Sequence, residues 1–228
     1  MQARSHLAWQ THQCAARSGV KLPLHHAHDY RALVRGWRVV AREGRMTMQV
    51  LTHVAGLPIY LLESGKREAP AVYLSAGVHG DEPAAAWGLL AWAQQNISLL
   101  RQGPFVISPC LNPIGLIGNT RVDHRGVDLN RSFHLASDEV CGPWLRAIQG
   151  RQLIAGLCLH EDYDAQGCYV YELGLHKEIF SRAVLLRCTG TIPADHRRLI
   201  DRRRAADGII RRRKAPPELP VCTSIRSS

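Results

Sequence analysis

The chain has 228 residues, 46% of them hydrophobic, which suits one sizeable α/β domain or two small ones and excludes a chain disordered throughout. Its net charge of +10 suggests an anionic partner. No apolar run reaches the ~18 residues of a membrane span. The first 19 residues contain no apolar h-region, so no secretory signal is evident, and the seven cysteines form no CxxC pair. They read as reduced thiols of a cytoplasmic protein.

In chain order, residues 22–43 mix Leu, Val and Trp37 with basic residues and predict a helix. That helix closes a lead-in over 1–44, before a domain over 45–208. Segments 46–54 and 57–62 alternate around Ala55-Gly56 and predict a hairpin. Residues 71–74 are a short apolar run that reads as a buried strand, followed by small residues, then His79 and Glu82, then Pro83 where a helix can begin. That helix is expected to run to about Leu100, and 105–108 is the next strand. That strand feeds Pro109-Cys-Leu-Asn-Pro-Ile-Gly115. From there to Phe133 the chain reads as a long polar loop, and such loops inside compact domains are usually functional. A helix over 137–150 capped by Ser137 or Asp138, strands over 153–159 and 168–172, and a helix over 177–187 follow. Strands alternating with helices predict an α/β sandwich with a mainly parallel sheet.

Much of the positive charge sits late, in Arg197-Arg198, Arg202-Arg203-Arg204 and Arg211-Arg212-Arg213-Lys214. No aromatic residue follows Phe180, so platforms for stacking single-stranded bases are missing there, and a nucleic-acid partner is not expected. A solvated face or tail accounts for the run, and residues after about Gly208 are expected to pack loosely as a basic, proline-containing tail.

His-x-x-Glu by itself is also ordinary surface chemistry, and a lone His160 at a strand end reads equally well as a core histidine. Two strands ending in histidine change the weighing, because sites in α/β sheets gather at the carboxyl ends of strands. His79, Glu82 and His160 then offer three protein ligands with a fourth position open, the pattern of a catalytic zinc site. Arg121 and Arg131 are suited to holding carboxylates, Asn130 to adding an amide hydrogen bond, and Asp128 to orienting a ligating imidazole.

His79-Gly-Asp-Glu82, Asn112-Pro-Ile-Gly115, Arg121, Gly126-Val-Asp-Leu-Asn-Arg-Ser-Phe133 and a strand-terminal His160 together resemble the zinc carboxypeptidase superfamily, which includes the aspartoacylase and succinylglutamate desuccinylase branch. The resemblance covers residues 45–175 and implies a three-layer α/β sandwich with a mixed, mainly parallel sheet. It implies one Zn2+ held by His79, Glu82 and His160, with Asp128 supporting His79. It further implies that Arg121 polarises the scissile carbonyl, while Asn130 and Arg131 grip a free carboxylate of the substrate. The leading reading is a metallocarboxypeptidase acting on a peptide, with a deacylase acting on an N-acyl amino acid as the alternative.

One departure from the pattern matters. The superfamily's general base is a glutamate on a late strand, and the last candidate here is Glu218 in Pro216-Pro-Glu-Leu-Pro220. Charge and then proline dominate the residues before it, and proline cannot join a central sheet. The C-terminal part of the fold is therefore expected to be incomplete, with Glu218 turned away from the metal and hydrolysis feeble. A zinc protein that binds carboxylates without cleaving is the reading from outside the enzyme class.

Overall fold

The computed structural model describes residues 26–173 and 180–212. Helix α1 (Tyr30–Gly44) leads into strands β1 (Thr47–Val54), β2 (Leu57–Glu63) and β3 (Ala71–Ser75), then helices α2 (Pro83–Gln95) and α3 (Ile97–Gln102). Strand β4 (Phe105–Ser108), helices α4 (Pro113–Gly118) and α5 (Cys141–Ile148) and strand β5 (Leu153–Cys158) follow. The rest is β6 (Val170–Leu173), α6 (Phe180–Cys188), β7 (Leu199–Ile200), β8 (Arg203–Arg204) and β9 (Ile209–Arg212). No helix among the described residues is long and apolar enough to cross a membrane.

The main sheet runs β1-β2-β4-β3-β5. Its β4-β3-β5 part is parallel and β1-β2 joins it antiparallel, so the sheet is mixed. Successive residues of a strand face opposite sides. Leu62, Leu74 and Ile107 enter one core with α1, α2 and Leu100, while Leu61, Tyr73 and Val106 enter a second core with Trp144 and Ile148 of α5. Both faces of β2, β3 and β4 are thus covered, as a sheet with parallel strands requires. The result is the expected three-layer α/β sandwich.

Asp29 starts α1 by accepting the Ala32 N–H at 2.8 Å, and Leu33, Trp37 and Val40 sink into the first core. The lead-in helix is therefore part of the sandwich. The predicted hairpin forms at Ala55 and Gly56, with φ of 46° and 79°. Such paired positive values suit the twist of antiparallel strands.

Several expectations need correction. The helix after Pro83 does not run unbroken to Leu100. Asn96 leaves helical geometry (φ −120°), and its side chain donates to the Trp92 carbonyl at 2.7 Å, so α3 starts afresh. Helix α4 forms where the run to Gly115 passes into the loop, and the loop itself contains a 3-10 turn, Leu129–Arg131. Asn112 starts α4 by accepting the Gly115 N–H at 2.8 Å. The helix expected over 137–150 is shorter, Cys141–Ile148, with Val140 rather than Ser137 or Asp138 in the cap position, although the Asp138 side chain accepts the Val140 and Cys141 N–H groups just before it.

Most instructive is the end of the described chain. Ile209–Arg212 is a strand, parallel to β6, with Ile210 buried, so the chain past Gly208 is not loose at that point. Two β-branched residues before the arginines supply the strand and its anchor, which a reading weighted by charge overlooked. Arg197 likewise is not merely solvated. It binds the fully buried Asp195 carboxylate and holds it well below the usual carboxylate range, against the opposing effect of burial.

Trp144 links the second core to the sheet by donating its indole N–H to the Tyr73 hydroxyl at 2.7 Å, and Tyr73 donates onward to Ser108 at 3.2 Å. Trp144→Phe deletes the donor and also leaves part of the buried indole volume empty. The expected cost is about 2–4 kcal/mol, the lost bond of about 1 kcal/mol plus the cavity. A lowered denaturant midpoint with an unchanged slope checks it.

Candidate metal centre

Strand β3 ends at Ser75, and the chain then makes a tight turn against the end of β4. Gly77 takes a left-handed φ of 61°, and its carbonyl accepts from the Leu111 and Asn112 N–H groups at 3.1 and 2.8 Å. A side chain there would also meet Cys110. Gly80 is needed for a different reason. Any Cβ on it would overlap the backbone of Gly115 and Leu116, so the turn lies flat on α4. Gly80 also donates its N–H to the Thr120 carbonyl at 3.1 Å. The turn that carries His79 and Glu82 is thus fixed from both sides.

Strand β5 brings the third residue. It pairs with β3 in parallel register, Ser75 opposite Cys158, and the Leu159 N–H donates to the Ser75 carbonyl at 2.8 Å. His160 follows, and its ring centroid lies 5.0 Å from that of His79. Glu82 sits between them, with His79 Nδ1 at 2.6 Å from Oε1 and His160 Nδ1 at 2.8 Å from Oε2. His79 and Glu82 are buried, and the His160 side chain is 32% exposed, which leaves one open side.

Burial alone would raise the Glu82 carboxyl. The hydrogen bonds from His160 and His79 outweigh it and hold the group at about 2. A buried carboxylate faced by two imidazole nitrogens needs protons or a cation between the three groups. One donor atom from each lies within 4.8 Å of the others. Two imidazole nitrogens, one carboxylate and an open side fit a catalytic zinc ion better than a closed structural one.

Asp128 lies behind His79, with Oδ1 at 3.2 Å from Nε2. An Nε2–H donated to Asp128 fixes the ring and leaves the Nδ1 lone pair facing the cluster. Burial would raise the Asp128 carboxyl, yet the neighbouring His79 and Arg121 bring it below its ordinary value. Arg121 donates to Asp128 Oδ2 at 3.3 Å and stands 3.7 Å from Glu82 Oε1, so its guanidinium reaches the rim of the cluster. The Asn112 side chain holds the Arg121 carbonyl at 3.3 Å.

Asn130 and Arg131 occupy the 3-10 turn just after Asp128, and Asn130 donates its backbone N–H to Asp128 Oδ1 at 2.9 Å. Arg131 is exposed, and its guanidinium touches only the Asn130 carbonyl, at 3.4 Å, among the described residues. Glu218 lies outside the described residues. Asp123, His124 and Glu139 form a second group within 4.8 Å, but Arg125 is the cation there. It reaches Asp123 and Asp138 at 2.6 Å and Glu139 at 3.2 Å, which pins the loop rather than making a metal site.

Sequence reasoning missed Glu161 and Tyr163, which contact the turn from the far side of the cluster. Their only signal was adjacency to His160.

Over residues 68–200, more than half of its length, the chain matches the succinylglutamate desuccinylase/aspartoacylase catalytic domain. The chain belongs to this family. Among curated proteins no sequence matches it. Solved structures agree on the fold. A protein of Shewanella baltica OS155 assigned as a metallopeptidase superposes with a TM-score of 0.77 at 21% identity, covering 87% of this chain and 81% of that one. One from Shewanella denitrificans OS217, similarly assigned, gives 0.73 at 22% identity over 83% and 74%. A metallo-carboxypeptidase of Burkholderia cenocepacia gives 0.55 at 21% identity, over 67% of this chain but only 46% of that one. The family and its fold are those of the zinc carboxypeptidase-like superfamily.

The flat packing of Gly80 on α4 makes a sharp prediction. Gly80→Ala must push the turn and α4 apart, and overpacking of this kind costs ~1–3 kcal/mol. A denaturant midpoint equal to that of the unsubstituted protein would contradict this packing.

Proposed function

We propose that this chain is a zinc-dependent hydrolase that cleaves an amide bond next to a free carboxylate. The observation that carries the reading is Glu82 held between His79 and His160, with Arg121 at the rim. Zinc bound there supplies Lewis acidity and a hydroxide nucleophile near neutral pH. The protein's own residues do the rest. Asp128 holds the His79 ring, and Arg121 is placed to stabilise negative charge developing on the scissile carbonyl oxygen. Asn130 and Arg131 are assigned the substrate's free carboxylate.

Two substrate classes share this chemistry. Family membership favours an N-acyl amino acid. The Gly126-Val-Asp-Leu-Asn-Arg segment, read as in carboxypeptidases, favours the C-terminal residue of a peptide. Proton delivery to the leaving amine requires a further acid, and Glu218 is the candidate for it, although the prolines around it disfavour the strand that would carry it to the metal.

The test is zinc content together with release of free amino acids from a mixed panel of peptides and N-acyl amino acids. One zinc per chain is expected, lost in His160→Ala, and stoichiometric zinc in that variant overturns the ligand assignment. The panel separates peptidase from deacylase. Turnover that collapses in Glu218→Gln identifies the proton shuttle. Feeble turnover that is indifferent to that change leaves a zinc protein that binds carboxylates.

The two arginines should separate kinetically. A carboxylate is present before and after cleavage, so Arg131→Ala is expected mainly to raise KM, whereas Arg121→Ala is expected mainly to lower kcat. The opposite pattern means that the roles are exchanged.

A further inference from the structure

Helix α2 begins one residue after Glu82, and the local arrangement there is unusual. Glu82 occupies the N-cap position but makes no capping bond, because its side chain is directed at the two imidazoles. Pro83 has no N–H, and the first turn contains no acidic residue of its own. The Ala84 and Ala85 N–H groups would therefore be unpaired at the positive end of the helix dipole. Glu161, in the segment that follows β5, fills that place. Its Oε1 accepts from Ala84 N at 2.5 Å and from Ala85 N at 3.3 Å.

The same residue reaches the cluster through its backbone, donating its N–H to Glu82 Oε2 at 3.2 Å. Two residues on, the Tyr163 hydroxyl donates to the Asp81 carbonyl. The segment that follows His160 thus clasps the turn bearing His79 and Glu82 at several points.

We infer that Glu161 is a positioning residue of the metal centre, capping α2 in place of Glu82 and so fixing the distance between the Glu82 and His160 donors. The inference rests on the zinc reading of the cluster. A capping residue drawn from the same helix would stabilise α2 alone. Drawn from the segment after β5, it couples the helix that follows Glu82 to the segment that carries His160. Reach, more than charge, is what the arrangement uses, because the carboxylate must span from that segment to the helix start.

The experiment measures zinc dissociation constants by chelator competition for the wild type and for Glu161→Ala, Glu161→Asp and Glu161→Gln, with thermal unfolding of each metal-free protein alongside. Glu161→Gln retains an acceptor at the same reach and should bind zinc close to the wild-type constant. Glu161→Asp keeps the charge one methylene short, and it and Glu161→Ala should weaken zinc about 10–100-fold, the usual cost of losing support behind a metal ligand. Variants that lose metal-free stability yet keep the zinc constant would show Glu161 to be a helix cap only and overturn the inference. If Glu161→Ala does not fold, the aspartate and glutamine variants decide, and equal tight binding by both overturns it. A wild type that holds no zinc overturns the reading of the cluster itself, and the inference with it.

Discussion

A buried carboxylate shared by two histidines is the constraint on which the rest of the structure depends. Glu82 is buried, and an isolated carboxylate in such a place would be costly. It is tolerable only because His79 and His160 lie at 2.6 and 2.8 Å from its two oxygens. That closeness in turn requires β3 and β5 to be neighbours in parallel register, so that their ends deliver His79 and His160 to one place. Gly77 and Gly80 let the intervening turn press against the end of β4 and onto α4. The sheet order is thus the geometry of the site seen from a distance.

Around the cluster, each charge is used more than once. Asp128 orients His79 through one oxygen and receives Arg121 through the other. Arg121 also approaches Glu82, so the residue assigned to the substrate carbonyl is tied to the same carboxylate as the histidines. Further out, Arg125 gathers Asp123, Asp138 and Glu139, which ties the loop bearing Asp128 to the start of α5. Asp195 and Arg197 play a comparable part near β6, where the Asp195 side chain accepts the Gln166 N–H at 3.1 Å. Arg125 and Arg197, two of the arginines behind the charge that first suggests an anionic partner, are therefore committed to folding the chain.

The sandwich was readable from sequence wherever the signal is local. The apolar runs at β3, β4 and β5, the hairpin at Ala55-Gly56 and the strand-ending histidines all carry their meaning in a few consecutive residues. Features set by the particular partner a side chain finds were not readable. The break at Asn96 depends on a side chain turning back to the Trp92 carbonyl, and the capping role of Glu161 depends on a helix start far away in sequence. Strand β9 was hidden because arginine makes up half of it and continues past it in the sequence, while its strand character rests on Ile209 and Ile210. Likewise, Arg121 could be named from the motif, but its approach to both Glu82 and Asp128 appears only when the loop folds back over the turn.

The central claim is that one zinc ion is held by two imidazole nitrogens and one carboxylate. X-ray absorption at the zinc edge of the zinc-loaded protein tests it most directly. The account predicts a shell of nitrogen and oxygen donors at about 2.0–2.2 Å, with two imidazoles in the outer scattering. The seven cysteines offer the alternative. A sulfur shell at about 2.3 Å, or a protein that takes up no zinc, would contradict the account.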